Sequence, residues 1–233
     1  MLQTVQGTLA SVRGRSLWAT EARSLAPSDA LDLLARFGTR ITMKRGRELF
    51  AEGNQSEDCY RLVDGCVRLV KLMSDGRRQI CAFLKPGDLL GFNVDDTHYF
   101  SAETVSECTL VRYSRRAVET LLTDDKGFAR YVRQVAARGL QDAYQRMVLL
   151  CHKSVQERIA WFLLEMADQS GTGNTQIHLP MTRTDIANYL GMAIETVSRV
   201  LGQFKHSGAI LQNNLHRIQV VDRDALELAR GEV

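Results

Sequence analysis

Glu195, Ser198 and Arg199 fall at positions i, i+3 and i+4, the spacing that gathers side chains on one face of a helix. Their chemistry suits base recognition. An arginine fork bonds guanine O6 and N7 together, a glutamate accepts from cytosine N4, and a small serine touches thymine or a phosphate. The same spacing also fits an ordinary solvated helix face, and periodicity alone leaves both readings open. The elements around the trio must therefore be considered. Val197, Val200, Leu201 and Phe204 form an apolar stripe opposite the trio. Before them, Thr182 is placed to cap a first helix with Asp185 three residues on, Ile186, Ala187 and Leu190 share one face, and Gly191 ends the run. After them, Gly208-Ala-Ile-Leu and His216-Arg-Ile-Gln-Val-Val read as two strands joined across Gln212 to Leu215, a wing beside the two helices.

The stretches Thr182-Arg-Thr-Asp-Ile-Ala-Asn-Tyr-Leu-Gly191 and Glu195-Thr-Val-Ser-Arg199 resemble the DNA-binding signature of the cyclic-AMP receptor protein/FNR superfamily of bacterial transcription regulators, in its FNR and FixK branch. The resemblance covers roughly residues 30 to 228 and is densest in the last quarter. It implies that Glu195, Ser198 and Arg199 contact bases, with Thr182, Arg183, Ile194 and Thr196 completing the DNA-binding set. Cyclic-AMP receptor proteins have an arginine where this chain has Ile194, so the resemblance implies TTGAT-type rather than TGTGA-type half-sites. Relatives usually place Thr or Ser just before the recognition helix, where this chain has Ala193.

Residues 38 to 113 carry short alternating runs punctuated by Gly46, Gly53, Gly65, Gly76, Gly87 and Gly91, a pattern of short strands and regular turns that implies a β-barrel or jelly roll. The run RGRELFAEG, CYRLVDGCVRLVK, LKPGDLLGF resembles the cyclic-nucleotide-binding fold. In that fold a glutamate after a glycine holds the ribose and an Arg-Ser pair holds the phosphate. Here Phe92 follows Gly91 and Phe100 precedes Ser101, so the strongest polar contacts are missing and cyclic-nucleotide binding is not expected. The two rings and His98 fit core packing, or line a pocket for haem or a small apolar effector. A haem- or nitric-oxide-gated regulator of the same family is accordingly the alternative function.

The five cysteines, Cys59, Cys66, Cys81, Cys108 and Cys151, bear on an iron–sulfur cluster, the sensor of the FNR proteins. No cysteine precedes Cys59, and only Cys108 aligns with an FNR ligand, so no cluster is expected. Cys59, Cys66 and Cys81 read as buried thiols, while Cys108 and Cys151 are left as candidates for redox sensitivity.

Asp125 to Glu165 reads as a long helix followed by another, with Ala136, Leu140, Ala143, Met147 and Leu150 spaced by alternating fours and threes. That spacing keeps an apolar seam toward a partner helix, or packs the helix on its own barrel. Family resemblance makes the seam a homodimer axis, setting two recognition helices about 34 Å apart, as a palindromic operator requires.

Length, composition and charge agree. A chain of 233 residues, 45% hydrophobic, can bury two ordinary cores, and a net charge of +3 is too small to prove a nucleic-acid partner. No long apolar run and no leader-like start is present, so no membrane association and a cytoplasmic protein are expected. No nucleophile–base constellation or clustered metal-ligand spacing supports an enzyme, and no cofactor is expected. The fold class is α+β: an arm over 1–27, a cyclic-nucleotide-binding-like β-barrel (jelly roll) over 28–124, a dimerisation helix over 125–152 and a winged helix-turn-helix over 153–233. The resemblance implies an activator of low-oxygen respiration, denitrification or nitrogen-fixation genes that engages RNA polymerase and is controlled by its own synthesis.

Overall fold

The computed structural model describes residues 37–93, 95–169, 175–214 and 216–231. The arm over 1–27, with Trp18, lies outside them.

Eight strands build the barrel from two antiparallel sheets. One has the order β1 (Thr39–Met43), β8 (Cys108–Ser114), β3 (Asp58–Asp64), β6 (Leu89–Leu90); the other has β2 (Glu48–Phe50), β7 (Ser101–Thr104), β4 (Val67–Leu72), β5 (Arg78–Leu84). Tyr60, Leu62, Val67, Leu90, Ala102, Cys108 and Leu110 fill the space between them. The turn joining β3 to β4 needs glycine on two counts. Gly65 has φ of +95°, and a Cβ there would lie 2.3 Å from the Glu107 carbonyl oxygen.

Helix α1 (Arg115–Asp124) follows, capped by the Ser114 hydroxyl, which accepts from the Ala117 N–H at 3.3 Å. The Asp125 carboxylate accepts from the Phe128 N–H at 2.6 Å and starts the long helix α2 (Lys126–His152). Near its start, Phe128 and Tyr131 are buried with Cys59 and Tyr113 of the barrel and Val118 of α1, while most of the middle of α2 is solvated. Helix α3 (Val155–Gln169) buries Ile159, Phe162, Leu163 and Leu164 under the C-terminal elements. These are β9 (Gln176–His178), α4 (Arg183–Leu190), α5 (Ile194–His206), β10 (Ile210–Asn214), β11 (Arg217–Val220) and α6 (Arg223–Arg230). The three strands form a sheet in the order β10-β11-β9, so the expected two-stranded wing has a third strand.

The barrel and the C-terminal elements share one apolar cluster, in which Val70, Ile80 and Val105 join Leu190, Val197 and Leu201. A group of charges closes the same junction. The Arg146 guanidinium of α2 lies 3.9 Å from the centre of the Tyr189 ring and donates to its hydroxyl. The Glu165 carboxyl of α3 is buried within the electrostatic reach of Arg146 and Asp142 of α2, Lys85 of the barrel and Asp168 of its own helix. Burial is the largest influence on it and pushes it up to about 7, against the pull of Arg146 and Lys85.

A carboxyl that is harder to ionise folded than unfolded gives its full stabilisation below its ordinary value of 4.5 and loses it as pH rises through about 7. The melting temperature is therefore expected to decline between about pH 4.5 and pH 7 and to level off above that, and Glu165→Gln to flatten the decline. Melts of both proteins across the window check this; identical slopes would assign the ionisation to another group.

Candidate nucleic-acid interface

The first helix of the pair, α4, starts in a reciprocal cap. The Thr182 hydroxyl accepts from the Asp185 N–H at 3.1 Å, and the Asp185 carboxylate accepts from the Thr182 N–H at 2.9 Å. The same carboxylate takes the Thr182 hydroxyl proton at 2.8 Å. Gly191 closes the helix in the left-handed region at φ 62°, as a sharp turn into a second helix requires. Ile186, Ala187 and Leu190 are buried, and so is Tyr189.

In α5, Val197, Val200, Leu201 and Phe204 are buried, each stabilising the domain by about 1.5–3 kcal/mol. Burying that stripe leaves the opposite face to solvent. Glu195, Ser198 and Arg199 are all exposed there, with Ile194 exposed beside them and Thr196 half-buried. The structure thus brings the trio to one open surface, near the N-terminal end of the helix. Glu195 in the first turn and Lys205 and His206 in the last complement the helix dipole. Ala193 occupies the cap position, and no side chain bonds the first amides of α5.

Thr182 is exposed at the start of α4. Arg183, next to it, is half-buried, and its Nη1 is enclosed without an acceptor among the described residues. Burial lowers its affinity for a proton. Arg217 and His178 face each other on the exposed side of the wing.

Of the proposed seam, Ala136, Leu140, Ala143 and Met147 are exposed on α2. Leu150 is half-buried, and its Cδ2 lies 3.7 Å from where a Cβ on Gly191 would sit, so it turns toward the helix pair. Tyr144 and Val148, which the spacing did not single out, are exposed on the same helix. Leu140, Tyr144 and Met147 each leave more than half of their surface open, at 54%, 57% and 57%.

In the barrel, the Ser101 hydroxyl accepts the Glu52 N–H at 2.9 Å. The Phe92 ring packs against the cluster containing Cys59 and Tyr113, and Phe100 lies edge-on to Tyr99 at 4.8 Å. The residues present do not fit a cyclic nucleotide: the aromatic rings of Phe92 and Phe100 stand where the polar ribose and phosphate ligands are needed. His98 is buried, stacked on Phe50 at 3.7 Å and bonded to Asn93 at 2.9 Å, so it is a core residue. Cys108 is also buried, and burial raises its thiol above the ordinary value, which removes it from the redox candidates. Cys59 is buried, and Cys66 and Cys81 are partly so; burial raises all three, Cys59 and Cys66 to about 12. Cys151 is exposed. No group of three or more His, Cys, Asp or Glu among the described residues is arranged to hold a metal ion, and no described helix is long and apolar enough to cross a membrane.

Two short helices joined at a left-handed glycine, an exposed polar face opposite a buried stripe and an adjoining wing are the architecture of a DNA-binding regulator of transcription. Residues 157–229 match the Crp-like helix-turn-helix domain, and residues 40–125 the cyclic nucleotide-binding domain. Over 216 residues the chain is 39% identical to the nitrogen fixation regulation protein FixK of Azorhizobium caulinodans, covering 90% of this chain and 87% of that one. It is 37% identical over 185 residues to the protein of the same name from Rhizobium meliloti, covering 79% and 84%. The solved structure of FixK2 from Bradyrhizobium japonicum matches with a TM-score of 0.80 at 35% identity, covering 84% of this chain and 98% of that one. The chain belongs to the FixK-like branch of the CRP/FNR superfamily, and it is a DNA-binding transcriptional activator.

Ala193→Thr is expected to supply the missing cap and stabilise the protein by about 0.5–2 kcal/mol, typically ~1. It should also tighten specific and nonspecific DNA binding alike, because a phosphate contact carries little sequence information. Melting curves and salt-controlled affinities decide it; unchanged stability would mean that the amides of α5 gain nothing from a hydroxyl there.

Proposed function

We propose that the chain acts as a homodimer on TTGAT-type inverted repeats and does so without a cyclic nucleotide or an iron–sulfur cluster. The observation that carries this reading is the joint exposure of Glu195, Ser198 and Arg199 opposite the buried stripe of α5. A bidentate arginine contact to guanine supplies most of the discrimination at its base pair, and Glu195 and Ser198 read the neighbouring positions. The first amides of α4, at the exposed Thr182 end of the helix, supply phosphate contacts that fix the register, with the half-buried Arg183 beside them. Thr182 contributes chiefly as the cap of α4, since its proton is already spent on Asp185.

The solvated middle of α2 supports pairing with a second copy. Ala136, Leu140, Ala143, Tyr144 and Met147 give an open apolar surface on a helix that otherwise lies beside its own barrel. Two copies meeting there place two reading faces about one turn of DNA apart, roughly 34 Å. The relatives' names associate this branch with nitrogen fixation, and the genes governed are those of nitrogen fixation or low-oxygen respiration and denitrification, reached through RNA polymerase bound beside the operator.

Gel-shift titration tests the operator reading. Arg199→Ala is expected to lose about 1–3 kcal/mol on the matched site and to blur the preference for guanine. An absolute requirement for added cyclic AMP would overturn the ligand-free part of the proposal. The seam has its own test: arginines replacing Leu140 and Met147 put like charges across a desolvated contact, so dimerisation and DNA binding should fall together. A variant that sediments as a dimer at micromolar concentration would place the interface elsewhere.

A further inference from the structure

One guanidinium ties the barrel to the helix-turn-helix. Arg68 of β4 donates from Nε and Nη2 to Glu103 Oε2 at 2.9 and 2.6 Å, and from Nη1 to Asp185 Oδ1 at 2.7 Å. Glu103 is gripped from the other side by Arg78, whose Nη2 lies 2.6 Å from both of its oxygens. Asp185 spends its second oxygen on Thr182, at the start of α4. The ion-paired chain therefore runs from the barrel hairpin into the cap of the first helix of the pair. The Arg68 pairs are largely sheltered from solvent while Arg78 is exposed, and the planar fork of Arg68 holds its two carboxylates in a fixed geometry.

Two further contacts lie on the same face of α4. Gln79 of β5 donates to the Asn188 carbonyl at 2.7 Å, and the Phe83 ring lies 4.8 Å from that of Tyr189. Asp185, Asn188 and Tyr189 are spaced i, i+3 and i+4, so one side of α4 is committed to the barrel while Ile186, Ala187 and Leu190 serve the domain core. Helix α4 cannot rotate without breaking one set or the other, and α5 is packed on α4.

We propose that Arg68 is a positioning residue for operator recognition: by pinning Asp185 to the barrel it fixes the direction of α5 relative to α2, and so sets the half-site spacing the protein accepts. The proposal rests on the dimeric, inverted-repeat reading given above. Arg68 is a better probe than Asp185, because the bonds between Thr182 and Asp185 survive its removal and α4 keeps its cap.

The test uses the full chain and duplexes carrying two TTGAT half-sites, with the central spacer at its reference length or one or two base pairs longer or shorter. Affinities are measured by fluorescence anisotropy at one salt concentration. The unmodified protein is expected to lose about tenfold or more on the off-length duplexes, within the 5–150-fold range usual for coupling between sites. Arg68→Met, which keeps the stem and loses the fork, should flatten that dependence to about threefold or less while the variant still sediments as a dimer. Arg68→Lys keeps a charge but cannot bridge two carboxylates in one plane, and it should flatten the dependence too, which preserves the test if the methionine variant does not fold. An equal loss of affinity at every spacing would mean that Arg68 only neutralises Asp185 near the DNA, and would overturn the proposal. So would an unaltered spacing profile. If the unmodified protein binds single half-sites as well as any inverted repeat, the dimeric operator reading falls and this inference with it.

Discussion

Helix α4 is held on two faces at once, and that constraint governs what the rest of the C-terminal half can do. Eight residues are too few to hold a helix in water by hydrogen bonding alone. The helix exists because it is capped at Thr182, stopped at Gly191 and covered on opposite faces by the barrel hairpin and by α3 and α5. Asp185 is the point where these demands meet, since a single carboxylate completes the cap and receives the barrel's arginine. The exposed face of α5 inherits its direction from this arrangement, because α5 buries its own apolar stripe in the same cluster.

The helix pair was legible in the sequence because its determinants are local. A capping threonine, an aspartate three residues later, a glycine in the left-handed region and two apolar stripes all lie within one short span. The barrel was legible for a similar reason, since glycine-marked turns separate its short strands. The contacts between the two halves leave no such trace. Arg68 and Asp185 are separated by 117 positions, and nothing in the alternation around Arg68 distinguishes it from other charged strand residues. Strand β9 escaped for a related reason: three residues with one buried isoleucine carry no period, and pairing with β11 alone defines them as a strand.

The long helix shows where a pattern of fours and threes misleads. A straight α-helix turns every 3.6 residues, so a stripe read at 3.5 drifts by about 20° in each heptad. By Leu150 the drift carries the side chain round to Gly191 and the helix pair, while Tyr144 and Val148 come to lie on the open surface. The barrel departs from its family in a comparable way. Its strands keep the nucleotide-binding framework, but Phe92 is drawn into the cluster beside α1, and the Phe100 ring packs edge-on to Tyr99. Aromatic packing stands where a charged ligand would need fixed polar partners.

The bare start of α5 bears on how the protein meets DNA before it finds a site. With alanine at position 193, the first amides of the reading helix have no side-chain acceptor of their own. A phosphate oxygen is the natural substitute, and every duplex offers one every few ångströms along each strand. On the proposed reading any stretch of DNA finishes the helix, whatever its sequence, so that the helix is consolidated by duplex of any kind. On that reading discrimination falls to the side chains that project past the backbone, and the backbone amides themselves are neutral between one sequence and the next.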